Sequence, residues 1–460
     1  MSKKNIIVIG GGPGGYVAAI KAAQAGASVT LIEKDKMGGT CTNRGCIPTK
    51  VLLESSNLLT RIKESKDFGI LVKNVSLDYL KVTERKDEIV KRLSDGVQFL
   101  LKKNKIKVEK GQAGIIDKKT VGIIGSNKKF AADNIIIATG SAPAGITVKG
   151  ADGRDVMNSD DVLAMETLPK SVVIIGGGVI GLEFAQFLSD MGCKTTVIEI
   201  LPRIFPSLDS EIAGIFEAHI GTRGVDVFTD ARVMSIKDTK HGKKVLFKTK
   251  NGQKEKQAEK VIMVVGRKPE IKGLGVEEIG IAVDKGRIVV NKRMETNING
   301  IYAVGDVVGG IMLAHVAMVE GECAVDNILN VAADEIDYKT VPSCIYTSPE
   351  IASVGLTEEE AWEKYQEVKV ARFPYAANGK AVILNDTNGE IKLIADSKYG
   401  EILGVHIIGP HATELIAEAV LAIRMEATVE EISRTIHAHP TVSEAMVEAA
   451  LGIQGASIHI

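Results

Sequence analysis

One arrangement of residues occurs twice in this chain, and it fixes most of what the chain can fold into. Ile6-Ile7-Val8-Ile9 runs into Gly10-Gly11-Gly12-Pro13-Gly14-Gly15, then into the apolar-periodic stretch Tyr16 to Ala23, then into Ser28 to Ile32, ending at Glu33, 23 residues after Gly10. Val172-Val173-Ile174-Ile175 runs in the same way into Gly176-Gly177-Gly178-Val179-Ile180-Gly181, a helical stretch from Leu182 to Met191, and Lys194 to Ile198, ending at Glu199, 23 residues after Gly176. Each copy reads as strand, glycine turn, helix, strand and acid. Glycines let the backbone approach a pyrophosphate, the helix N-terminus favours its charge, and a carboxylate accepts from ribose hydroxyls. Two copies at one spacing predict an α/β chain with two Rossmann-like units and two dinucleotides. The competing reading is that one copy is a duplicate without a ligand.

At 460 residues the chain has room for several domains. Lys and Arg number 57 against 58 Asp and Glu, so no bulk charge points to nucleic acid or a membrane surface. The 47 glycines suit a protein with many strand-to-helix turns. No apolar run has the length of a spanning helix, and Met-Ser-Lys-Lys-Asn leads straight into a strand, so a soluble, cytoplasmic protein is expected. In that compartment five cysteines point to catalytic or free thiols rather than a structural framework.

Cys41 and Cys46 stand in Gly38-Gly39-Thr40-Cys41-Thr42-Asn43-Arg44-Gly45-Cys46-Ile47-Pro48-Thr49-Lys50. In a regular helix, residues five apart lie roughly 8 to 9 Å from each other, while bridged cysteines need Cα atoms within about 7 Å. A disulfide here therefore demands a bend, for which Gly45 gives freedom, with a regular helix starting near Pro48. The pair would sit at a helix N-terminus, where a thiolate is stabilised. A metal site would need further ligands, and no second cysteine pair is near; Cys193, Cys323 and Cys344 are isolated.

Helices are expected over 51–66 and 78–104, and closing strands at Asn134 to Ile137, before Ala138-Thr139-Gly140, and at Val261 to Val265, before Gly266. Gly300 to Asp306 reads as a strand ending at an acid that could bind a ribitol or ribose hydroxyl, or simply sit in a turn. After about residue 340 the pattern becomes antiparallel: strands at 343–346, 368–373, 389–395 and 402–408, helices at 413–424 and 442–451. That segment carries His437-Ala438-His439-Pro440-Thr441-Val442-Ser443-Glu444. Glu444 could orient His439, but Thr441 to Glu444 also has the spacing of a capping box.

Taken together, the first fingerprint with Glu33, the Cys41 to Lys50 stretch, Ala138-Thr139-Gly140, the second fingerprint with Glu199, Gly305-Asp306, and His439-Pro440 with Glu444 resemble the FAD-dependent pyridine nucleotide-disulfide oxidoreductases. The likeness covers nearly the whole chain in the family's order, and is strongest to the branch that oxidises protein-bound dihydrolipoamide. It implies a redox disulfide, with Cys41 the exposed sulfur that exchanges with substrate and Cys46 the inner sulfur facing the flavin. It implies FAD held by Gly10, Gly12, Pro13, Gly15, Glu33, Gly39, Thr40, Lys50, Gly114, Thr139, Gly140, Asp306 and Ala314. NAD would lie on Gly176, Gly178, Ile180, Gly181, Glu199 and Gly266. Lys50 would pair with Glu183 close to the flavin, His439 would be the base, oriented by Glu444, and no metal is implied. The likeness further implies an FAD domain over 1–145 and 273–340, an inserted NAD domain over 146–272, and a dimerisation domain over 341–460. A homodimer would result, each subunit's histidine completing the other's site, serving a lipoyl-bearing protein of a 2-oxo acid dehydrogenase or glycine cleavage type complex.

Within that resemblance Arg44 stands where the family often has a small apolar residue; it either tunes the thiolates or faces solvent, the latter being favoured. Glu199 favours NAD, since a carboxylate repels a 2′-phosphate, although Arg203 lies nearby. Val179, rather than a tyrosine, leans away from glutathione-reducing relatives. The chain lacks the C-terminal cysteine pair of mercury reductases, and a non-catalytic scaffold would have no use for the thiols, lysine and histidine together.

Overall fold

Strand pairing sorts the chain into its units. A computed structural model describes residues 4–331 and 335–460. In the first unit five parallel strands lie in the order Ile301–Ala303, Asn134–Ile137, Asn5–Ile9, Ser28–Glu33, Lys107–Lys110. The second unit repeats this with Asp226–Phe228, Lys194–Ile198, Ser171–Ile175, Lys260–Met263 and Val156–Met157. The central strands are buried on both faces, as their unbroken β-branched runs require. Since Ile301–Ala303 closes the first sheet, the second unit is an insertion within the first.

The expected closing strand at 261–265 is shorter, Lys260–Met263, and a turn at Gly266 starts a further strand, Arg267–Pro269. That strand pairs antiparallel with Ser141–Pro143, which follows Gly140 in the same manner. The two closing strands thus continue into a two-stranded ribbon that ties the units together.

The redox helix is longer at its start than expected, Cys46–Glu64, and the next runs Tyr79–Lys103 with Asp78 as its side-chain cap. The first packs along Val179–Asp190 of the second unit. Lys50 meets Glu183, Gln186 donates to Asn57 at 3.4 Å, Arg223 donates to Thr60 at 3.1 Å and to Asp190 at 2.7 Å, and Lys63 donates to the Asp190 carbonyl at 3.1 Å.

The C-terminal unit is an antiparallel sheet in the order Ser343–Ile345, Glu350–Gly355, Ile402–Gly409, Glu390–Asp396, Val368–Pro374, covered by Ala412–Arg424 and Glu444–Ile453. It is fastened to the second unit by buried charge. Lys392 Nζ contacts both oxygens of Asp209 at 2.9 Å, Glu211 at 2.9 Å and Glu358 at 2.7 Å, with side chains of Lys392 and Asp209 only 2% and 0% exposed. Arg372 bridges Glu211 and Glu358 at the rim. Among the described residues no helix is long and apolar enough to cross a membrane.

Candidate functional site

A cavity of about 1570 Å³ runs between the first two units and ends against the third. Single-ligand pockets span roughly 300 to 1,000 Å³, so this one has room for more than one ligand. Its wall brings together Gly10, Gly12, Pro13, Glu33, Gly39, Thr40, Cys41, Cys46, Lys50, Thr139, Gly140, Asp306 and Ala314 with Gly176, Gly178, Ile180, Glu183, Glu199 and Gly266. Both fingerprints and the cysteine pair therefore share one space.

The cysteine stretch bends where the sequence requires it. A short helix, Gly39–Arg44, stops at Gly45, and Cys46 opens the next. A side chain on Gly45 would press its Cβ to 3.0 Å from the Thr40 carbonyl. Exposure within one chain runs opposite to the expected order: Cys46 opens onto the cavity, while Cys41 is half-buried. Both are free thiols in this structure, hydrogen-bonded to each other. That hydrogen bond is the largest influence on Cys46; with Lys50 it overcomes burial and lowers the pKa to about 7. The same bond, reinforced by burial, pushes Cys41 well above the ordinary thiol range. Of the two, Cys46 is thus the thiol favoured as thiolate. Arg44 neither faces the thiols nor hangs free, since it pairs with Asp35 at 3.0 Å and reaches Asp160 at 3.7 Å.

Lys50 Nζ contacts Glu183 Oε1 and Oε2 at 2.8 and 2.9 Å. Tyr346, from the C-terminal unit, holds both partners: its N–H donates to Glu183 at 3.1 Å and its ring lies 4.7 Å from Lys50 Nζ. Replacing Lys50 by methionine should move the Cys46 midpoint upward from about 7 by on the order of one pH unit. The alkylation rate of the dithiol protein against pH reads this directly, and an unmoved midpoint would remove Lys50 from the thiolate's surroundings.

The two fingerprints are built alike. Gly12 and Gly178 cap the helices Pro13–Gln24 and Val179–Asp190 in extended conformation without any side-chain cap, so the first helical N–H groups are free to meet an anion. Glu33 accepts from the N–H of Gly11 at 2.6 Å and of Asp35 at 2.7 Å; Glu199 accepts from Gly177 at 2.5 Å and Leu201 at 2.8 Å. Gly15 and Gly181 do not line the cavity. Each lets its helix close on its strand, since a Cβ there would lie 1.9 Å from the Gly10 carbonyl or 2.0 Å from that of Gly176. Gly114 is also off the cavity wall, where Gln112 and Ala113 stand instead, because Ile124 packs against it. Dinucleotides fit this lining: Thr139 Oγ1 is buried without a partner, and a Cβ on Gly140, Gly178 or Gly266 would meet nothing within 4 Å.

Asp306 sits in a network that the sequence did not reveal. The Ser141 hydroxyl donates to it, and Arg267 Nε donates to Ser141 at 2.8 Å while lying 3.9 Å from Asp306. Buried Glu320 accepts the Gly305 N–H at 2.6 Å and the Tyr338 hydroxyl at 2.9 Å. Burial pushes its carboxyl up, partly offset by these two donors. Ser141 and Arg267 each directly follow a turn glycine, which was the available clue; Glu320 and Tyr346 come from distant chain segments and left none.

His439 and Glu444 are brought together, but away from this cavity. Glu444 Oε1 lies 2.8 Å from His439 Nδ1, and Oε2 accepts the Thr441 N–H at 2.8 Å. One oxygen contacts the histidine and the other the Thr441 N–H ahead of the helix, and the expected capping box is not formed because the helix starts only at Glu444. The helix begins at Glu444 rather than Val442, and Ser443 makes no side-chain cap. Burial works against the Glu444 charge, yet the Thr441 N–H and the His439 ring together hold its pKa below the ordinary value. The His439 side chain is 79% exposed and takes no part in lining its own chain's cavity.

Known proteins share this architecture over its full length. A dihydrolipoyl dehydrogenase of Bacillus subtilis (strain 168) is 43% identical, with 99% of each chain covered. One from Geobacillus stearothermophilus is 40% identical, over 99% of this chain and 97% of that one. Among solved structures, LpdA from Mycobacterium tuberculosis has a TM-score of 0.90 at 27% identity, covering 98% of this chain and 99% of that chain. The HOCl-induced flavoprotein disulfide reductase RclA from Escherichia coli has a TM-score of 0.87 at 29% identity, covering 97% and 99%. Residues 4–321 match the family described as pyridine nucleotide-disulphide oxidoreductase, and residues 341–450 match that family's dimerisation domain. With both matches in register with the units and the cavity described above, the chain belongs to the pyridine nucleotide-disulphide oxidoreductase family.

Proposed function

We propose that this protein is a dihydrolipoyl dehydrogenase, oxidising the dihydrolipoamide of a lipoyl-bearing protein in a multienzyme complex and reducing NAD+. The observation that carries the reading is the single cavity in which the Cys41–Cys46 pair, the Lys50–Glu183 pair and both dinucleotide fingerprints meet. FAD bound on the first fingerprint and NAD+ on the second supply the carriers that take the electron pair onward from the thiols. Cys41 meets the substrate sulfur, and Cys46, open to the cavity and favoured as thiolate, faces the flavin side. Lys50, fixed by Glu183, keeps a positive charge next to that thiolate. Glu33, Thr139, Gly140, Asp306 and Ala314 hold FAD; Gly178, Ile180, Glu199 and Gly266 hold NAD. Arg203 turns to the carbonyls of Pro206 and Leu208 rather than toward Glu199, and with the Glu199 carboxylate this supports NAD over NADP.

His439 Nε2 accepts the proton of the attacking thiol, with Glu444 at Nδ1 holding the ring. Because His439 stands off its own chain's cavity, the base for each thiol pair comes from a second copy joined through the dimerisation domain. The domain division at residues 145, 272 and 340 is supported by the three five-stranded sheets, while the ribbon of Ser141–Pro143 with Arg267–Pro269 links the first two units across it. Five unbridged cysteines fit a cytoplasmic setting.

Anaerobic addition of dihydrolipoamide and NAD+ to the purified flavoprotein should yield NADH; none formed would end the proposal. Replacing His439 by glutamine should slow reduction of the thiol pair by dihydrolipoamide about 10²- to 10⁴-fold while leaving electron exchange with NADH unchanged. Equal slowing of both half-reactions would remove His439 from the role of base.

A further inference from the structure

Helix Glu444–Ile453 carries a second carboxylate–imidazole pair one turn beyond the first. Glu448 follows Glu444 by four residues, so both carboxylates rise from one face of the helix. Glu448 is buried, and its Oε2 accepts the N–H groups of Ile458 and His459 at 3.0 and 3.3 Å. Its Oε1 lies 2.7 Å from His459 Nδ1. The Ser457 hydroxyl donates to the Glu448 carbonyl at 3.1 Å and closes the same turn. These bonds fix residues 457–459 against the helix, yet leave 67% of the His459 side chain exposed.

The two pairs share one design. In each, a carboxylate meets the Nδ1 edge of an imidazole with one oxygen and takes backbone N–H with the other. A carboxylate at Nδ1 holds the ring proton there, which leaves Nε2 as the basic nitrogen of the neutral ring. The two carboxylates, four residues apart on one helix face, set the two rings at the same end of the C-terminal unit. A tail needed only for packing would have no use for an exposed imidazole locked in the same manner as the base.

We propose that His459, oriented by Glu448, is a second proton acceptor for the dithiol. The inference rests on the dithiol reading above. His439 Nε2 takes the proton of the thiol that attacks; its sulfur bonds to Cys41 Sγ, the Cys41–Cys46 bond breaks, and the electron pair stays on Cys46. His459 Nε2 takes the proton of the second thiol; its sulfur bonds to the first, the mixed disulfide breaks, and that electron pair stays on Cys41. Two protons reach two imidazoles and two electrons reach two cysteine sulfurs. A substrate with two thiols in one molecule thus meets two bases on one helix face.

The test is stopped-flow reduction of the oxidised holoenzyme. His459→Gln keeps a hydrogen-bonding group for Glu448 but no titrating nitrogen, and should slow reduction by dihydrolipoamide about 10²-fold. Its reduction by NADH and its melting temperature should match the parent protein. In His459→Ala, added imidazole should restore the dithiol rate in proportion to its concentration, which a packing role would not produce. Parent-like reduction of His459→Gln by dihydrolipoamide, or no response of His459→Ala to imidazole, would overturn the proposal. Should the alanine variant not fold, the glutamine variant alone decides. Failure of the underlying dithiol reading gives a different result, no reduction of the parent holoenzyme by dihydrolipoamide.

Discussion

Replacing Cys41 by serine should leave a protein that binds its dinucleotides and exchanges electrons with NADH, but oxidises dihydrolipoamide slower by about 10³-fold or more. The serine oxygen cannot form or break the sulfur–sulfur bond by which the electron pair enters. Cys46 would remain on the cavity wall, where the serine hydroxyl can still donate to its thiolate, so the loss falls on sulfur exchange rather than on Cys46. Two measurements check this, the bound-flavin spectrum and the dihydrolipoamide:NAD+ rate; substantial turnover would reassign the entry point.

Replacing Lys392 by methionine should cost about 3 to 5 kcal/mol of stability, the range for breaking one side of a buried ion pair. Asp209 would be left fully buried without its cation, while Glu211 and Glu358 would keep only Arg372 between them. The carboxyls of Asp209 and Glu211 are held below their ordinary pKa, burial opposing and Lys392 or Arg372 prevailing, while Lys392 is raised by its three acids against burial. The carboxylate contribution is therefore full above the unfolded carboxyl range near about pH 4 and fades as acid is added below it; the lysine contribution fades above about pH 10.4. Urea unfolding of the holoprotein at neutral pH measures the loss, and a change under 1 kcal/mol would show the cluster to be replaceable by apolar packing.

Much of this was legible in the sequence because it is local. Each glycine turn, its helix and its acid sit within one βαβ stretch, so spacing alone located both folds and the bend at Gly45. The antiparallel C-terminal sheet was readable from alternation, though Glu350–Gly355, a fully paired central strand, and the meander Arg232–Thr239, Gly242–Thr249, Gly252–Ala258 were not singled out. Asn251-Gly252 does mark a hairpin between the last two, but the many charged residues in these strands mask their alternation. What escaped was set by contacts between distant segments: Tyr346 on Lys50, Glu320 under Gly305, and Ser141 with Arg267 across the ribbon. Glu444 shows the other limit, since one spacing fitted two roles and only the helix start at Glu444 distinguishes them.

The packing of Cys46–Glu64 along Val179–Asp190 bears on how the thiols are held. Contacts at Lys50, Asn57, Thr60 and Lys63 pin the thiol-bearing helix to the nicotinamide-side unit along its length. The thiols cannot move relative to the second unit without breaking these contacts. The thiols and the second glycine turn therefore keep fixed places along the one cavity they both line. A fixed helix of this kind makes the distance between the thiols and the second unit a property of the fold rather than of any bound molecule.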